Sequence, residues 1–511
     1  MLRNVPSPPA SGLLSGHAAQ LTTLKRHRVE QEHVSMLKSP VIRYRSYWDH
    51  RLWLGDPKLL QDIFQAERDG LVEKPEFPPF HKGQELNVFS EKTNHPLWRI
   101  VRKSVAQAFQ ANNMRRYHGH VVNVVGRLID AVKAEGPDSA IDVSDIAQRE
   151  SFDVIGMVGF GKDFQASRNI HNDAGQTFRL VGSFLVEAVK RNGNPLRQYS
   201  QSPDAVQGRL DFERINSIMN GLIEDNQAPG WLEENPHSIA GHILNLNDHK
   251  GKPLSRARLI QEYFIFFIAG SETTGHTIAW TLYFLAQHPQ AMAKLEAELD
   301  AAGLLVTPER PQARAFTFAD ISKLRYLDCI IKEAMRLQPV AAMPLQRVAV
   351  QDFKLSNGLV VPAGVTIDLA QYTVMQDKSW GWKDGASFIP ERWEEPDMEF
   401  HHIGSASGTD SSASEHPTLA SDDLEIDAAQ GGANKTRRYN PFGGGIRNCL
   451  GQQLARMNVP TAVAMFVANF HLQLTQEDAS KSLEQLEALR GTLQPEAGIH
   501  MYCTERGKRE E

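Results

Sequence analysis

The sequence predicts a mainly α fold with small β-sheets (α+β), and three observations carry this. The longest uninterrupted pattern is helical: residues 255–288 follow Gly251 and Pro253 and are closed by Pro289. Further stretches with helical spacing flank it over 96–135, 140–228 and 320–337. Strand-like pattern is confined to short pieces, chiefly 340–375, where "SNG" and "PAG" punctuate the chain. At about 1.5 Å per residue the long stretch spans roughly 50 Å. Leu259 to Phe267 is apolar on nearly every side, which predicts a helix buried all round.

Taken in order, residues 1–20 are rich in Pro, Gly and Ser and read as an extended proline-rich arm, distinct from 21–511. "SPVIRYRSYW" reads as a strand region. After Pro96, the recurrence of Leu97, Ile100, Val101, Val105 and Ala108 predicts helix over 96–135. Residues 140–228 read as further helices, with Gly156, Gly159 and Gly161 marking a turn. Residues 401–435 form a low-complexity insert with six acids (Asp410, Glu415, Asp422, Asp423, Glu425, Asp427) against one lysine, and read as disordered.

The chain has 511 residues, with 55 Lys and Arg against 61 Asp and Glu. This composition excludes collagen, wholesale disorder and a disulfide scaffold. A net charge of −6 argues against a global nucleic-acid footprint, so no nucleic-acid partner is expected. The three cysteines, Cys329, Cys449 and Cys503, form no C-x-x-C pair, which argues against a cysteine-cluster zinc site. Their odd number disfavours a disulfide framework and favours a reducing, intracellular compartment. No run reaches the ~18 apolar residues of a membrane span. Pro6, Pro8, Pro9, Gly12 and Gly16 interrupt any signal-peptide core. Lying on a membrane surface stays open.

The chemistry concentrates in "PFGGGIRNCLGQQLA", residues 441–455. Glycines deliver one cysteine to a helix N-terminus beside Arg447, and both features favour thiolate. The glycines let backbone approach something large and flat, against which Phe442 can pack. A thiolate with no Cys or His partner nearby suits one bond to a preassembled metal cofactor, haem above all. On the long helix, Phe266, Ala269, Gly270 and Thr273 share one face, small where a diatomic ligand needs room. A mid-helix Thr can bond back to a carbonyl and open the helix locally. Glu272 beside it is unexpected in so apolar a helix. Glu333 and Arg336 stand at i, i+3.

Phe442, Gly445, Arg447, Cys449 and Gly451 fill every fixed position of F-x-x-G-x-R-x-C-x-G, so the sequence resembles the cytochrome P-450 superfamily of haem-thiolate monooxygenases. The resemblance spans nearly the whole chain. It implies the fold of that family and one large domain, since Trp98, Thr273, Glu333 and Cys449 must converge on one haem. It implies haem b (iron protoporphyrin IX) ligated by the Cys449 thiolate. "AGSETT" matches the oxygen-activating motif, which implies that Thr273 hydrogen-bonds dioxygen and Glu272 takes part in proton delivery. Glu333, Arg336 and Arg392 match a buried structural cluster. Trp98 and Arg102 match W-x-x-x-R, and with Arg347 and Arg447 are implied propionate partners. Phe266, Ala269, the 340–345 segment, the region 78–94 and the tail near Ile499 would line a pocket for a lipophilic small molecule: lipid, terpenoid, steroid or xenobiotic.

The implied activity is O2 activation with electrons from an NADPH-dependent cytochrome P-450 reductase or a ferredoxin. Arg99, Lys103, Arg437 and Arg438 would form a basic docking face for that donor. Two departures from the family pattern stand out. Met375-Gln376-Asp377-Lys378 replaces the Met-His-x-Asp-Pro stretch, and the 401–435 insert separates Arg392 from Phe442. "VPSPPASGLLSGH" resembles the hinge that follows an anchor helix in membrane-bound members, although no anchor precedes it here. The implied location is the cytosolic side of the endoplasmic reticulum membrane through peripheral contact, with a soluble or plastid form left open. Two other readings also stay open: a haem-thiolate isomerase or dehydratase of lipid hydroperoxides, and a non-catalytic haem sensor.

Overall fold

The computed structural model describes residues 2–75, 85–171, 187, 199–395, 398, 400–402 and 435–507. Its longer helices, in chain order, are α1 (Arg26–Leu37), α2 (Pro57–Arg68), α3 (Pro96–Ala106), α4 (Ala111–Glu135), α5 (Val143–Phe160), α6 (Pro203–Asn226), α7 (Arg256–Gln287), α8 (Pro289–Ala301), α9 (Arg325–Leu337) and α10 (Gln452–Asn469). Small sheets accompany them, so the fold is mainly helical. No helix among the described residues is long and apolar enough to cross a membrane.

Helix α7 starts where the Ser255 hydroxyl accepts the Arg258 N–H at 3.0 Å. It is buried along most of its length. Its main partner is α5, and glycines set their approach. A Cβ on Gly270 would lie 2.5 Å from Ile155 Cδ1, and one on Gly275 would lie 2.9 Å from the Gln148 Cα. Ser151 Oγ then donates to Ser271 O at 2.6 Å and Gln148 Nε2 to Glu272 O at 3.0 Å. Gly270 thus serves the α5 contact, not an open face toward a ligand as its spacing suggested.

Three boundaries differ from expectation. The helix expected over 96–135 is two: Gln107–Phe109 tightens to a 3-10 turn, and Gln110 is extended (φ −65, ψ 153) before α4 begins. Both halves keep apolar spacing, so periodicity alone cannot show the break. The helix expected over 320–337 begins at Arg325, because Thr317 and Asp320 close a separate turn at Phe318–Ile321 with a capping box. Gly156 and Gly159 lie inside α5, and the turn is made by Gly161 alone, at φ 62. Gly156 is a packing glycine: its Cβ would meet Lys162 O at 2.6 Å.

Strands β1 (Val41–Ser46), β2 (Asp49–Leu54), β3 (Val72–Glu73), β5 (Leu345–Ala349) and β8 (Thr366–Leu369) form a sheet of order β1-β2-β8-β5-β3. Within it β2 and β8 run parallel and the other pairs antiparallel. The proline-rich segment lies against this sheet: Val5 is buried in its core, and Arg43 N–H donates to Pro6 O at 2.8 Å. Strands β4 (Ala140–Asp142), β11 (Phe470–Leu474) and β14 (His500–Glu505) form a second sheet, and β6 (Phe353–Lys354) pairs with β7 (Val360–Val361) in a small hairpin. A hairpin, β12 (Glu487–Arg490) with β13 (Thr492–Pro495), is held to α7 by Trp280 Nε1 donating to Leu493 O at 3.2 Å. The acidic insert expected over 401–435 lies outside the described residues except at its ends. There His402 pairs with Lys435 in the two-stranded β9 (Phe400–His402) and β10 (Lys435–Arg437).

Candidate active site

The cysteine loop is shaped by two left-handed glycines, Gly443 (φ 77) and Gly445 (φ 67). A 3-10 turn over Gly445–Arg447 follows. The chain then folds back, so that Cys449 N–H donates to Phe442 O at 2.9 Å, and α10 starts after Gly451. A Cβ on Gly444 would fall 2.5 Å from Phe64 Cε2, and one on Gly445 3.1 Å from Phe64 Cβ, so the loop seats directly on α2. Gly451 leaves the sulfur uncrowded: its Cβ would stand 3.9 Å from Cys449 Sγ.

Cys449 keeps accessible surface, yet protein surrounds it further out. Burial raises its thiol above the usual cysteine range. The Gly451 and Gln452 amides and Arg102 pull the other way and do not prevail.

Beside the loop lies a buried cluster of cations. Arg102 Nη2 donates to Asn448 O at 2.8 Å, while its buried Nε has no acceptor. The Arg447 guanidinium sits 4.5 Å from the Trp98 ring centroid and donates to Thr93 Oγ1 at 2.7 Å. Arg347 pairs with Glu67 at two points, Nε–Oε1 at 2.8 Å and Nη2–Oε2 at 2.9 Å. Burial and like charge destabilise this excess of positive charge. Arg102 is lowered to about 10 by burial, against the pull of Cys449 and Glu67. Arg447 is lowered to about 9 by burial and by Arg347 and Arg102. Lys74 is held well below the lysine range by burial, then by Arg447 and Arg347. Trp98, Arg102, Arg347 and Arg447 therefore do meet.

On α7, Ala269 is exposed and Thr273 half-buried, whereas their neighbours Ile268, Ser271, Glu272 and Thr274 are buried. Phe266 is buried on the preceding turn. Thr273 Oγ1 donates back to Ala269 O at 2.8 Å, and the helix stays α throughout. Glu272 turns toward the hairpin, where its Oε1 accepts from Thr492 Oγ1 at 2.9 Å. His276 Nε2 stands 3.8 Å from the same oxygen, and Oε2 is buried without a partner.

Glu333, Arg336 and Arg392 converge. Glu333 accepts from Arg336 Nη2 at 2.8 Å and Nε at 2.9 Å, from Arg392 Nε at 2.9 Å, from Trp393 Nε1 at 2.9 Å and from Ile389 N at 3.0 Å. Arg336 also donates to Gly385 O at 2.8 Å and Ser387 O at 3.1 Å, fastening the 385–393 segment to α9.

Other expected residues fall elsewhere. Arg99 and Lys103 are exposed on α3 and Arg437 is half-buried, but Arg438 is buried, donating to Trp380 O and Met398 O at 2.6 and 2.9 Å. Ile499 belongs to the core and bonds the start of α5, so β12–β13 is the tail element facing α7. Val340, Ala342 and Pro344 are buried; of 78–94, residues 78–84 lie outside the described residues, and Val88, Glu91 and Thr93 are buried. Glu67, Lys74, Phe64 and Thr492 were not found from sequence. Each is an ordinary residue in an ordinary stretch, and only tertiary burial singles it out.

These residues fit haem. The orphaned Arg102 Nε and a cation cluster short of negative charge suit two propionates. An accessible cysteine amid glycines suits iron and the macrocycle, and Ala269 and Thr273 leave α7 uncovered on one short stretch. Comparison with known proteins agrees. The family model described as "Cytochrome P450" matches residues 6–501. Cytochrome P450 monooxygenase ALT8 of Alternaria alternata is 24% identical over 98% of this chain and 89% of its own length. Cytochrome P450 monooxygenase FUM15 of Gibberella moniliformis is 24% identical over 93% of this chain and 84% of its own. Bifunctional cytochrome P450/NADPH–P450 reductase 2 of Bacillus subtilis is 25% identical over 75% of this chain, which spans only 32% of that longer protein. With a match over nearly its whole length and a cysteine set in a loop shaped by glycines, the chain belongs to the cytochrome P450 family of haem-thiolate monooxygenases.

Proposed function

We propose that this protein oxidises a lipophilic small molecule, using O2 and electrons from a separate NADPH-dependent cytochrome P-450 reductase or ferredoxin. The observation that carries the reading is the uncovered Ala269–Thr273 step on a buried apolar helix, bordered by Phe266. Haem bound through Cys449 supplies oxygen activation, which thiolate ligation favours. The chain's own residues position and shield. Trp98, Arg102, Arg347 and Arg447 would hold the propionates, and Phe442, Gly445 and Gly451 would shape the loop that presents Cys449. Thr273 would offer its hydroxyl to bound oxygen. Glu272 holds a proton donor position one residue away, oriented by Thr492. Glu333, Arg336 and Arg392 keep the loop's supporting segment in place. The acid–threonine pair favours monooxygenation over isomerase chemistry, which has no need of proton delivery.

The wild-type holoprotein is expected to show a thiolate-type ferrous–CO spectrum that Cys449→His loses while keeping bound haem. Absence of that spectrum in the wild type would end the reading. Lipophilic compounds that shift the spin state then identify the substrate.

Arg99 and Lys103 are exposed on the helix that carries Arg102, and support docking of an acidic electron donor there. Arg99→Glu with Lys103→Glu should slow reduction and flatten its dependence on salt. Unchanged reduction rates would place the donor elsewhere. We place the protein on the cytosolic surface of the endoplasmic reticulum, held by peripheral contact, on the strength of its proline-rich N-terminal segment.

A further inference from the structure

Among the described residues, the Glu272 carboxylate takes its orientation from one hydrogen bond. Its Oε1 accepts from Thr492 Oγ1 at 2.9 Å, and its Oε2 is buried without a partner. His276, one turn on, stands 3.8 Å away, beyond hydrogen-bond reach. Whatever fixes Thr492 therefore fixes the acid.

Thr492 is the first residue of β13, just past the hairpin tip, where Gly491 takes φ 90. The register pairs Arg490 with Thr492 and, at the far end, Glu487 with Pro495. The strand from Glu487 to Arg490 spans roughly 10 Å.

The far end is locked. Glu487 is fully buried. Its Oε1 accepts from His27 Nε2 at 2.9 Å and Arg28 Nε at 2.7 Å, and its Oε2 from Arg28 Nη2 at 3.0 Å and from Gln338 Nε2. The Arg28 pair is bidentate, the geometry that fixes direction as well as distance. Burial pushes the Glu487 carboxyl up, but hydrogen bonds from His27 and Arg28 outweigh it and lower it to about 2. Backbone groups join in. Leu489 N–H donates to Leu24 O at 2.8 Å, and Lys25 Nζ reaches Glu484 O and Glu487 O. The start of α1 and the residues before it thus grip the first strand of the hairpin, while Trp280 and Val340 hold Leu493 on the second.

A buried carboxylate is costly unless each donor is in place, so this end of the hairpin has one sharply specified position. We propose that Glu487, gripped by His27, Arg28 and Gln338, is a positioning residue for Glu272: it sets where Thr492 presents its hydroxyl to the acid. Placement at this scale matters, since an error of about 1 Å can cost a reaction about a hundredfold. The proposal rests on the proton-delivery role given to Glu272 above and extends its support to α1.

The test uses full-chain holoprotein with NADPH-dependent cytochrome P-450 reductase, and O2 alone as the probe. Two electrons and two protons reduce O2 to hydrogen peroxide; four of each reduce it to two waters, and the second course draws more on proton delivery. Thr492→Val is expected to raise the peroxide released per NADPH about twofold or more, with Thr492→Ser falling between. Glu487→Gln should raise it to a similar extent, and in a Thr492→Val background it should add nothing further, whereas an independent structural role would add. By hydrogen exchange, the Leu489 and Leu493 amides should open about tenfold faster in Glu487→Gln, with α5 amides and the ferrous–CO spectrum unchanged. Arg28→Gln carries both readouts if Glu487→Gln does not fold. Additive effects, wild-type exchange in the hairpin, or a wild-type peroxide share overturns the proposal. If Glu272→Gln itself leaves the peroxide share unchanged, the proton-delivery reading falls. If Glu272→Gln and Thr492→Val raise it and Glu487→Gln does not, this proposal alone falls.

Discussion

Glu333→Gln is expected to abolish accumulation of folded holoprotein, or to lower stability by about 3–5 kcal/mol if it accumulates. Five donors converge on the two oxygens of Glu333, among them two guanidinium groups. Glu333 and Arg336 are fully buried, and Arg392 nearly so. An amide keeps the shape but removes the negative charge and turns an acceptor into a donor. Arg336 and Arg392 are then buried cations without a carboxylate, which costs more than the lost hydrogen bonds. Whole domains are stable by only about 5–15 kcal/mol, so this one change takes a large share. Urea midpoints and haem content measure it. Glu333→Asp, which keeps the charge but shortens the reach, should fall between. A Glu333→Gln protein with wild-type midpoint would show that the cluster does not hold the 385–393 segment.

The second large effect depends on pH. Glu150 lies on α5, fully buried, with Oε2 accepting from Asn458 at 3.3 Å and Oε1 without a partner. Burial pushes its carboxyl up to about 8, aided by Asp153 and opposed by Asn458. The unfolded chain ionises this group near pH 4.5. Below that value both states hold the proton, and Glu150 adds no pH dependence. Between there and about pH 8 only the unfolded chain releases it, so stability falls as pH rises, by about 1.4 kcal/mol per unit. Above about pH 8 the full penalty is present. Glu150→Gln removes the ionisation while keeping an acceptor for Asn458. The variant should therefore match wild type near pH 4.5 and exceed it progressively, by roughly 4 kcal/mol near pH 8. Urea titrations of both proteins across this range measure the difference, in which other groups cancel. A difference that does not grow with pH would mean that water or a cation reaches the carboxylate.

Much of the site was legible in the primary structure because it depends on local geometry. A loop with glycines at 443 and 445, a cation at 447 and a cysteine at 449 before a helix has few uses, and its backbone angles are as the glycines allow. The long central helix was equally legible, since Leu259 to Phe267 has no polar side to expose and Gly251, Pro253 and Pro289 bound it. The break at Gln110 was hidden because apolar spacing continues across it. The turn assigned to three glycines came down to Gly161, because Gly156 and Gly159 are small for packing, and composition does not separate the two uses of glycine.

What needed the folded chain was everything that depends on who is nearby. Glu67 and Lys74 are unremarkable in sequence, yet burial brings them to Arg347 and Arg447 and makes one electrostatic unit. Arg438 reads as a surface cation and is instead enclosed against Trp382. Family, fold class and the cysteine loop follow from residue identity and spacing, because these govern backbone conformation and covalent chemistry. Charge state, pairing and exposure follow from the field and packing of distant segments, and those exist only once the chain has closed on itself.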